Sequence, residues 1–435
     1  MTCSRRFLNT PFNVEKEVGI ECYLTETAGI GGKIKVRPKD FVVREMYDLE
    51  FCGSGKYAVI EVEKTRWDTH KLIKELSGRL GIGKNRIGYS GTKDKDAVST
   101  QKMSIWGVKR DELERINIKD VSIRFLGYSN KNIHLGDHYG NYFDVTIRDV
   151  PSIGKAVDRV DDTIREAKEK GGFPNFFGMQ RFGSLRPITH KVGERIVKRD
   201  FKGAVLTYLS YTSKYESEET REARECAKEE DFKKALKIFP KHLRYELAIL
   251  NHLVKCPKDY IGALKSIQLG VRTLFVHAYQ SYIFNEILSE RIRRGLFYQC
   301  MDGDYISFRG NKNIERSDRK RIKLYESLIE KRRAFITAPL IGYESELSDL
   351  ELEVSDSFEI DRETFKIEEF PELSSKGIRR PISICSKIED FRKQTEISCK
   401  IVEDGLNLKF PLLKGSYATS LLREVMKEDP VKANF

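Results

Sequence analysis

The sequence predicts an α+β protein in which a β-rich domain with a mixed, largely antiparallel sheet is interrupted by a largely helical α+β insertion. Three observations predict it. Short segments of alternating apolar and polar residues fill the first 150 positions and return from about residue 377. Helical periodicity dominates from Thr189 to about residue 294. A chain of 435 residues with 40% hydrophobic content is long enough for two or three domains and an ample core. The expected division is 1–195 with 373–435 for the β-rich domain and 196–372 for the insertion.

Taken in order, residues 33–37 alternate cleanly and predict a strand with Ile34 and Val36 toward the core. Pro38, Lys39 and Asp40 turn the chain, and 41–45 predicts the next strand. Residues 57–63 alternate as another. Asp68 or Thr69 then caps a helix carrying Leu72, Ile73, Leu76 and Leu80 on one face, closed by Gly81 and Gly83. Ile87 and Tyr89 open a strand that Ser90, Gly91 and Thr92 break. Lys93, Asp94, Lys95 and Asp96 follow as a charged tip, and 98–106 predicts the returning strand. A charged tip is ordinarily a solvated turn. A carboxylate held between two strands is also well placed for chemistry, because the sheet fixes its position. The residues alone leave both readings open.

Residues 121–125 and 142–150 predict two further strands, the second with Phe143, Val145 and Ile147 on one face. Between them stand His134 and His138. Two glycines in that stretch argue against a helix aligning both rings, and no Glu follows His134, so a polar or RNA-contacting loop is expected rather than a metal site. Residues 153–170 predict an amphipathic helix carrying Val157, Val160, Ile164 and Ala167. Directly after it, 172–183 holds four phenylalanines among glycines, a Pro, an Asn and an Arg. Core packing accounts for two of those rings; four beside glycines are typical of a platform on which bases stack.

Helical patterns continue through 249–254 and 271–292, and 302–309 and 336–343 read as strand or turn. Residues 309–333 carry ten basic side chains, Lys312 among them, against four acidic ones. Such a run is either a solvated helix face or a surface that follows phosphates. The β texture returns at 377–381, 406–410 predicts a strand, and 415–419 leads into a closing helix through 426.

The net charge of +12 favours a polyanionic partner. No apolar run approaches the roughly 18 residues of a membrane span, and Met1 to Arg6 leads into no signal-type apolar region, so a cytoplasmic location without a membrane is expected. The eight cysteines are scattered with no C-x-x-C pair, which fits free thiols in a reducing compartment better than structural zinc. No phosphate-loop motif occurs near Lys84 to Arg86.

Three motifs in order carry a family resemblance. Gly91-x-Lys93-Asp94-x-x-Ala97-x-x-x-Gln101 is similar to the signature of the TruD-type tRNA pseudouridine synthases. Lys35-x-x-Pro38-x-Asp40-Phe41-x-Val43-x-Glu45 resembles that family's N-terminal motif, and Pro174-Asn175-Phe176-Phe177-Gly178-x-Gln180-Arg181-Phe182-Gly183 resembles a third. The likeness covers most of the chain and is strongest in the first 190 residues and the last 60. It implies a pseudouridine-synthase-like catalytic domain interrupted by the family's own insertion. The partner implied is tRNA, with uridine 13 of the D-arm as target and no cofactor or metal. Asp94 takes the role of nucleophile and Lys35 lies beside it. Asn175 and Phe177 hold and stack the uracil, with Lys93, Gln180 and Arg181 as further substrate contacts.

The implied reaction breaks the N1–C1′ bond of a uridine, turns the freed uracil and rejoins it through C5. An ionised carboxylate suits this as the single catalyst. It either attacks C1′ as in retaining glycosidases or takes a proton from the sugar to give a glycal. Burial alone would neutralise Asp94, so a cation must lie close, and Lys35 is the candidate. Lys93, if the segment is extended, points away from Asp94. The target base must be flipped out of a folded RNA and stacked. Phe177 cannot act as a base, so the C5 proton leaves through water or Asp94 itself. Two rivals stand beside this reading: a metal-dependent nuclease using Asp94 and Asp96, and a non-catalytic tRNA-binding protein.

Overall fold

The computed structural model describes residues 7–310, 313–384 and 397–435, and these fall into two compact units. One comprises 27–168 with Ile384 and 397–434. The other comprises 7–26, 169–383 and Phe435. Residues 7–26, 169–195 and 373–383 pack with the helices in the second of these units. The reason is visible in the core: Val18, Ile20, Phe176, Phe177, Met179 and Phe182 share one hydrophobic cluster with Val192, Ile249, Phe284 and Ile336.

The first unit is built on an eight-stranded sheet. Its strands run in the order Ser398–Val402, Gly405–Leu413, Gly140–Arg148, Phe41–Met46, Val98–Trp106, Tyr57–Thr65 and Val121–Ser129, with the short Ile87–Tyr89 also on Val98–Trp106. All pairings are antiparallel except that of Phe41–Met46 with Val98–Trp106. The sheet is therefore mixed and largely antiparallel, as the alternating segments predict. One face buries Ala58, Ile60, Val62, Met103 and Ile105 against Leu72, Ile73 and Leu76 of the Thr69–Arg79 helix. Asp68 caps that helix by accepting from the Lys71 amide at 3.0 Å, and Gly81, at φ +63°, follows its end.

The Val98–Trp106 strand organises the site. Along one edge it pairs first with Phe41–Met46, through Val98 to Thr100, and then with Ile87–Tyr89, through Met103 to Ile105. The chain between Tyr89 and Val98 leaves the sheet where these two neighbours meet. That stretch holds Asp94.

Residues 33–37 do not form the expected strand. Lys33 makes an isolated bridge to Arg148, and Lys35 adopts a left-handed φ of 56°. Alternation presumes extended backbone throughout, and one left-handed residue rotates every side chain after it. Ile34 is buried as expected, but Val36 is 46% exposed. The loop is fixed instead by Ala433, whose carbonyl accepts from the Ile34 amide, and by Asn434, which donates to the Ile34 carbonyl. Asp40 ends a 3-10 turn at Pro38–Asp40 and accepts two hydrogen bonds from Arg148, at 2.6 and 2.9 Å.

The second unit is mainly helical. Seven helices run from Thr189–Val197 to Leu269–Arg293, the last 25 residues long, beside a four-stranded antiparallel sheet that contains Tyr305–Phe308 and Ala334–Leu340. In the basic run, Ile314–Arg316 is a strand and Ile322–Glu330 a helix; Lys312 lies outside the described residues. Arg321 pairs with both Glu315 and Asp318, and Arg319 with Asp302, so part of the run's charge is neutralised on the surface. Among the described residues no helix is long and apolar enough to cross a membrane.

The Asp40–Arg148 pair generates a stability prediction. Burial alone would raise the Asp40 pKa, but the hydrogen bonds from Arg148 and Arg37 outweigh it and hold the carboxyl below its ordinary 3.8. Arg148→Ala strands a buried carboxylate at neutral pH, which costs about 3 kcal/mol and lowers the thermal midpoint by about 6–12 °C. A carboxyl depressed in the fold stabilises above its unfolded pKa and loses that contribution as pH falls through the folded value. The deficit of the variant therefore shrinks below about pH 4, as melting curves of both proteins at neutral and acid pH will read out.

Candidate active site

Asp94 and Lys35, 59 positions apart in sequence, meet at 3.0 Å between Lys35 Nζ and Asp94 Oδ2. The geometry is asymmetric. The carboxylate side chain is 44% exposed, whereas the lysine is 8% exposed and lays its ammonium 4.7 Å from the centre of the Phe41 ring. The left-handed backbone at Lys35 is what turns that side chain from the core-avoiding face of an ideal strand toward the Asp94 turn. Such strain persists only where the surroundings fix it, here through Ala433 and Asn434.

The turn itself is held by Glu45. Its carboxylate is fully buried and fills the gap between the two neighbours of the Val98–Trp106 strand, accepting from the Lys102 amide at 3.1 Å, the Ser90 hydroxyl and Lys93 Nζ at 2.8 Å. Thr69, at the helix N-terminus, accepts from the Lys93 amide at 3.1 Å, and Gln101 donates to the Gly91 carbonyl at 3.4 Å. Lys93 is thus drawn into a buried ion pair with Glu45, while Asp94 pairs with Lys35. The 134–139 loop packs on the same turn: the Gly136 amide donates to the Ser90 carbonyl at 2.8 Å. Burial, and then the nearby Lys93 charge, lowers the His138 pKa below 6.5, so the ring is neutral at pH 7. Among the described residues no three His, Cys, Asp or Glu side chains converge as metal ligands would. Asp96 is exposed.

The 172–183 motif lies in the other compact unit. All four phenylalanines, Phe173, Phe176, Phe177 and Phe182, are buried. They do not form the open platform that their glycine-rich setting predicts: Phe176, Phe177 and Phe182 join the apolar cluster that the helices supply, and Phe173 is buried as well. Phe177 meets Phe284 edge-on, and its amide donates to Asn285 Oδ1 at 2.9 Å while Asn285 Nδ2 returns a bond to the Phe177 carbonyl. The Arg380 guanidinium lies over the Phe177 ring, 4.0 Å from its centre, and donates to the Asn175 carbonyl at 2.7 Å and to Asn175 Oδ1 at 2.6 Å. Asn175 in turn donates to the Pro381 carbonyl. Arg181 donates to Ser281 at 3.0 Å, and Gln180 is exposed. Reading the sequence misses Arg380, whose only signal is its place where the β texture resumes. Glu45 and Gln101 are quoted in the motifs, but their role as the clasp of the turn needs the strand register.

Comparison with known proteins adds the following. The family described as tRNA pseudouridine synthase D (TruD) matches residues 17–425. A protein of Methanococcoides burtonii named "Probable tRNA pseudouridine synthase D" is 42% identical, over 98% of this chain and all of that protein. One of the same name from Archaeoglobus fulgidus is 38% identical over 96% of this chain and all of its own. A crystal structure described as a putative tRNA pseudouridine synthase D from Methanosarcina mazei superposes with a TM-score of 0.83 at 38% identity. It covers 97% of this chain and 99% of that one.

The two lysines of the site differ in a measurable way. Lys93→Met leaves the Glu45 carboxylate buried without its ammonium and is expected to cost roughly 3–5 kcal/mol of stability. Asp94→Asn changes a half-exposed group and is expected to shift the melting temperature by no more than about 4 °C, since an ion pair with a solvent-exposed member contributes roughly 1 kcal/mol or less. A scan of both variants checks the contrast; equal losses would mean that the turn is not clasped through Lys93.

Proposed function

The chain belongs to the TruD family of tRNA pseudouridine synthases, and from that premise we propose that it isomerises uridine to pseudouridine in tRNA with Asp94 as the catalytic carboxylate. The target proposed is uridine 13 of the D-arm, and the place of action the cytoplasm. The observation that carries the reading is the Asp94–Lys35 pair: a solvent-reaching carboxylate whose counter-ion is nearly buried and fixed in place.

That asymmetry suits the chemistry. A catalytic carboxylate must reach the substrate, yet remain ionised once an RNA covers the site and expels water. Lys35, already nearly buried, faces Asp94 at 3.0 Å without having to be reorganised at that moment. Asp94 then attacks C1′, or takes a sugar proton to leave a glycal, while the N1–C1′ bond opens. The freed uracil rotates, and C5 bonds to C1′ as the Asp94–C1′ bond breaks or the sugar proton is returned. The C5 proton leaves to water or Asp94 while N1 takes one up. No electrons are exchanged and no nucleotide is consumed, so the reaction itself calls for no cofactor.

Asn175 and Phe177 are proposed to hold the flipped base. The Arg380 guanidinium packed over the face of Phe177 supports that reading, since a flat, polarisable group already stacks on this ring. Arg181 and Gln180 are proposed as neighbouring RNA contacts, and Lys93 as the residue that holds the turn through Glu45. We keep 1–195 with 373–435 as the proposed catalytic division and 196–372 as the proposed family insertion. The net charge of +12 supports an electrostatic share in tRNA binding.

Tritium release from [5-³H]uridine-labelled tRNA, measured in chelator, tests the assignment. Wild type is expected to release tritium. Asp94→Asn is expected to lose at least about a thousandfold in rate while binding tRNA with wild-type affinity. Lys35→Met is expected to retain binding and to lose about a hundredfold. Dependence on added divalent ions would favour a nuclease, and full function of Asp94→Asn a binding protein.

A further inference from the structure

Behind the Asp94 turn lies a second ammonium that none of the motifs names. Lys64 stands near the end of the Tyr57–Thr65 strand, on the same face as Ala58, Ile60 and Val62, and like them it is fully buried. An apolar side chain is the ordinary occupant of that position, and a buried charge costs free energy unless it is well paired. Lys64 Nζ donates to three backbone carbonyls: those of Trp67, of Lys93 at 3.4 Å and of Asp94 at 3.2 Å. An ammonium has three donors, and here each has an acceptor.

Two of those acceptors are the peptide oxygens on either side of the Asp94 α-carbon. Fixing both peptide planes fixes the direction in which the Asp94 side chain leaves the backbone. Lys35 holds the same residue from the other end, at its carboxylate. We propose that Lys64 is a positioning residue for the reaction, a buried cation that sets the backbone of Asp94 and adds a second positive charge behind its carboxylate. The proposal rests on the reading of Asp94 as the catalytic carboxylate.

The charged groups facing Lys64 are Asp68 at the helix N-terminus, Asp94 and Lys93 on the turn; its cross-strand neighbours, Ser99 and Val121, carry none. Burial is the largest influence and lowers the lysine to about 8, against the pull of Asp68 and Asp94. A neutral amine keeps only two donors and turns a lone pair toward the third carbonyl. The clasp therefore loosens, and the charge behind Asp94 disappears, as pH rises through about 8.

The test is kcat for tritium release under saturating tRNA from about pH 6.5 to 9.5, for wild type, Lys64→Arg, Lys64→Met and Asp94→Asn, with melting temperature and tRNA affinity recorded for each. The wild-type rate is expected to fall through about pH 8. Lys64→Arg, which stays charged, is expected to carry its activity to higher pH. Lys64→Met is expected to lower kcat about tenfold or more, with KM and tRNA affinity changed less than about threefold. Titration of the RNA itself is common to all variants and cancels in the comparison. The proposal is overturned if Lys64→Met keeps kcat within about twofold of wild type, or if the Arg variant and wild type share one alkaline limb. Should neither variant fold, the wild-type profile decides: a flat rate between about pH 7 and 9 overturns the proposal, and a fall near 8 supports it. An active Asp94→Asn removes the premise, whereas an inactive one beside wild-type-like Lys64 variants removes only this inference.

Discussion

The buried carboxylate of Glu45 occupies the place where the Val98–Trp106 strand passes from one edge partner to the next. A break in a sheet edge leaves backbone donors that must be satisfied inside the protein. Glu45 satisfies the Lys102 amide, and its remaining capacity is taken by Ser90 and Lys93 from the turn that emerges at the break. One side chain thus closes the sheet and anchors the loop. Everything proposed for Asp94 depends on that loop having a single geometry, because a carboxylate displaced by even about 1 Å loses much of its catalytic advantage.

Around this clasp the charges are layered. Lys93 balances Glu45 below the turn, Lys64 caps the peptide oxygens on both sides of Asp94, and Lys35 faces the carboxylate itself. Three lysines and two acids gathered around one turn would be ruinous if unpaired. Here each has a named partner, so the cost of desolvation is offset locally. The arrangement leaves Asp94 as the one member of the set that reaches solvent to a large extent.

Much of the fold was legible because the periodicities were clean. The strands Tyr57–Thr65, Val98–Trp106 and Gly140–Arg148, the Thr69–Arg79 helix and the helical stretch from Thr189 all follow from pattern and capping. Residues 33–37 misled because alternation carries no sign of the left-handed Lys35. Phe176, Phe177 and Phe182 of the 172–183 stretch mislead because composition shows which residues are aromatic, not whether distant helices bury them. The proximity of Lys35 and Asp94 followed from family resemblance, not from spacing, since 59 residues separate them. Glu45 and Gln101 stood in the motifs, yet their hydrogen bonds depend on a register between strands that no local pattern encodes. Lys64 does carry a sequence signal: a lysine continuing the apolar face of Ala58, Ile60 and Val62.

The central claim is that this turn performs an isomerisation and leaves the RNA chain intact. The most direct measurement incubates unmodified tRNA transcript with wild type and with Asp94→Asn in chelator. The intact RNA is then sized, and its nucleosides are separated after digestion. The account predicts full-length RNA in both samples, with pseudouridine appearing as uridine disappears only for wild type. Shortened RNA, or pseudouridine formed equally by Asp94→Asn, would contradict it.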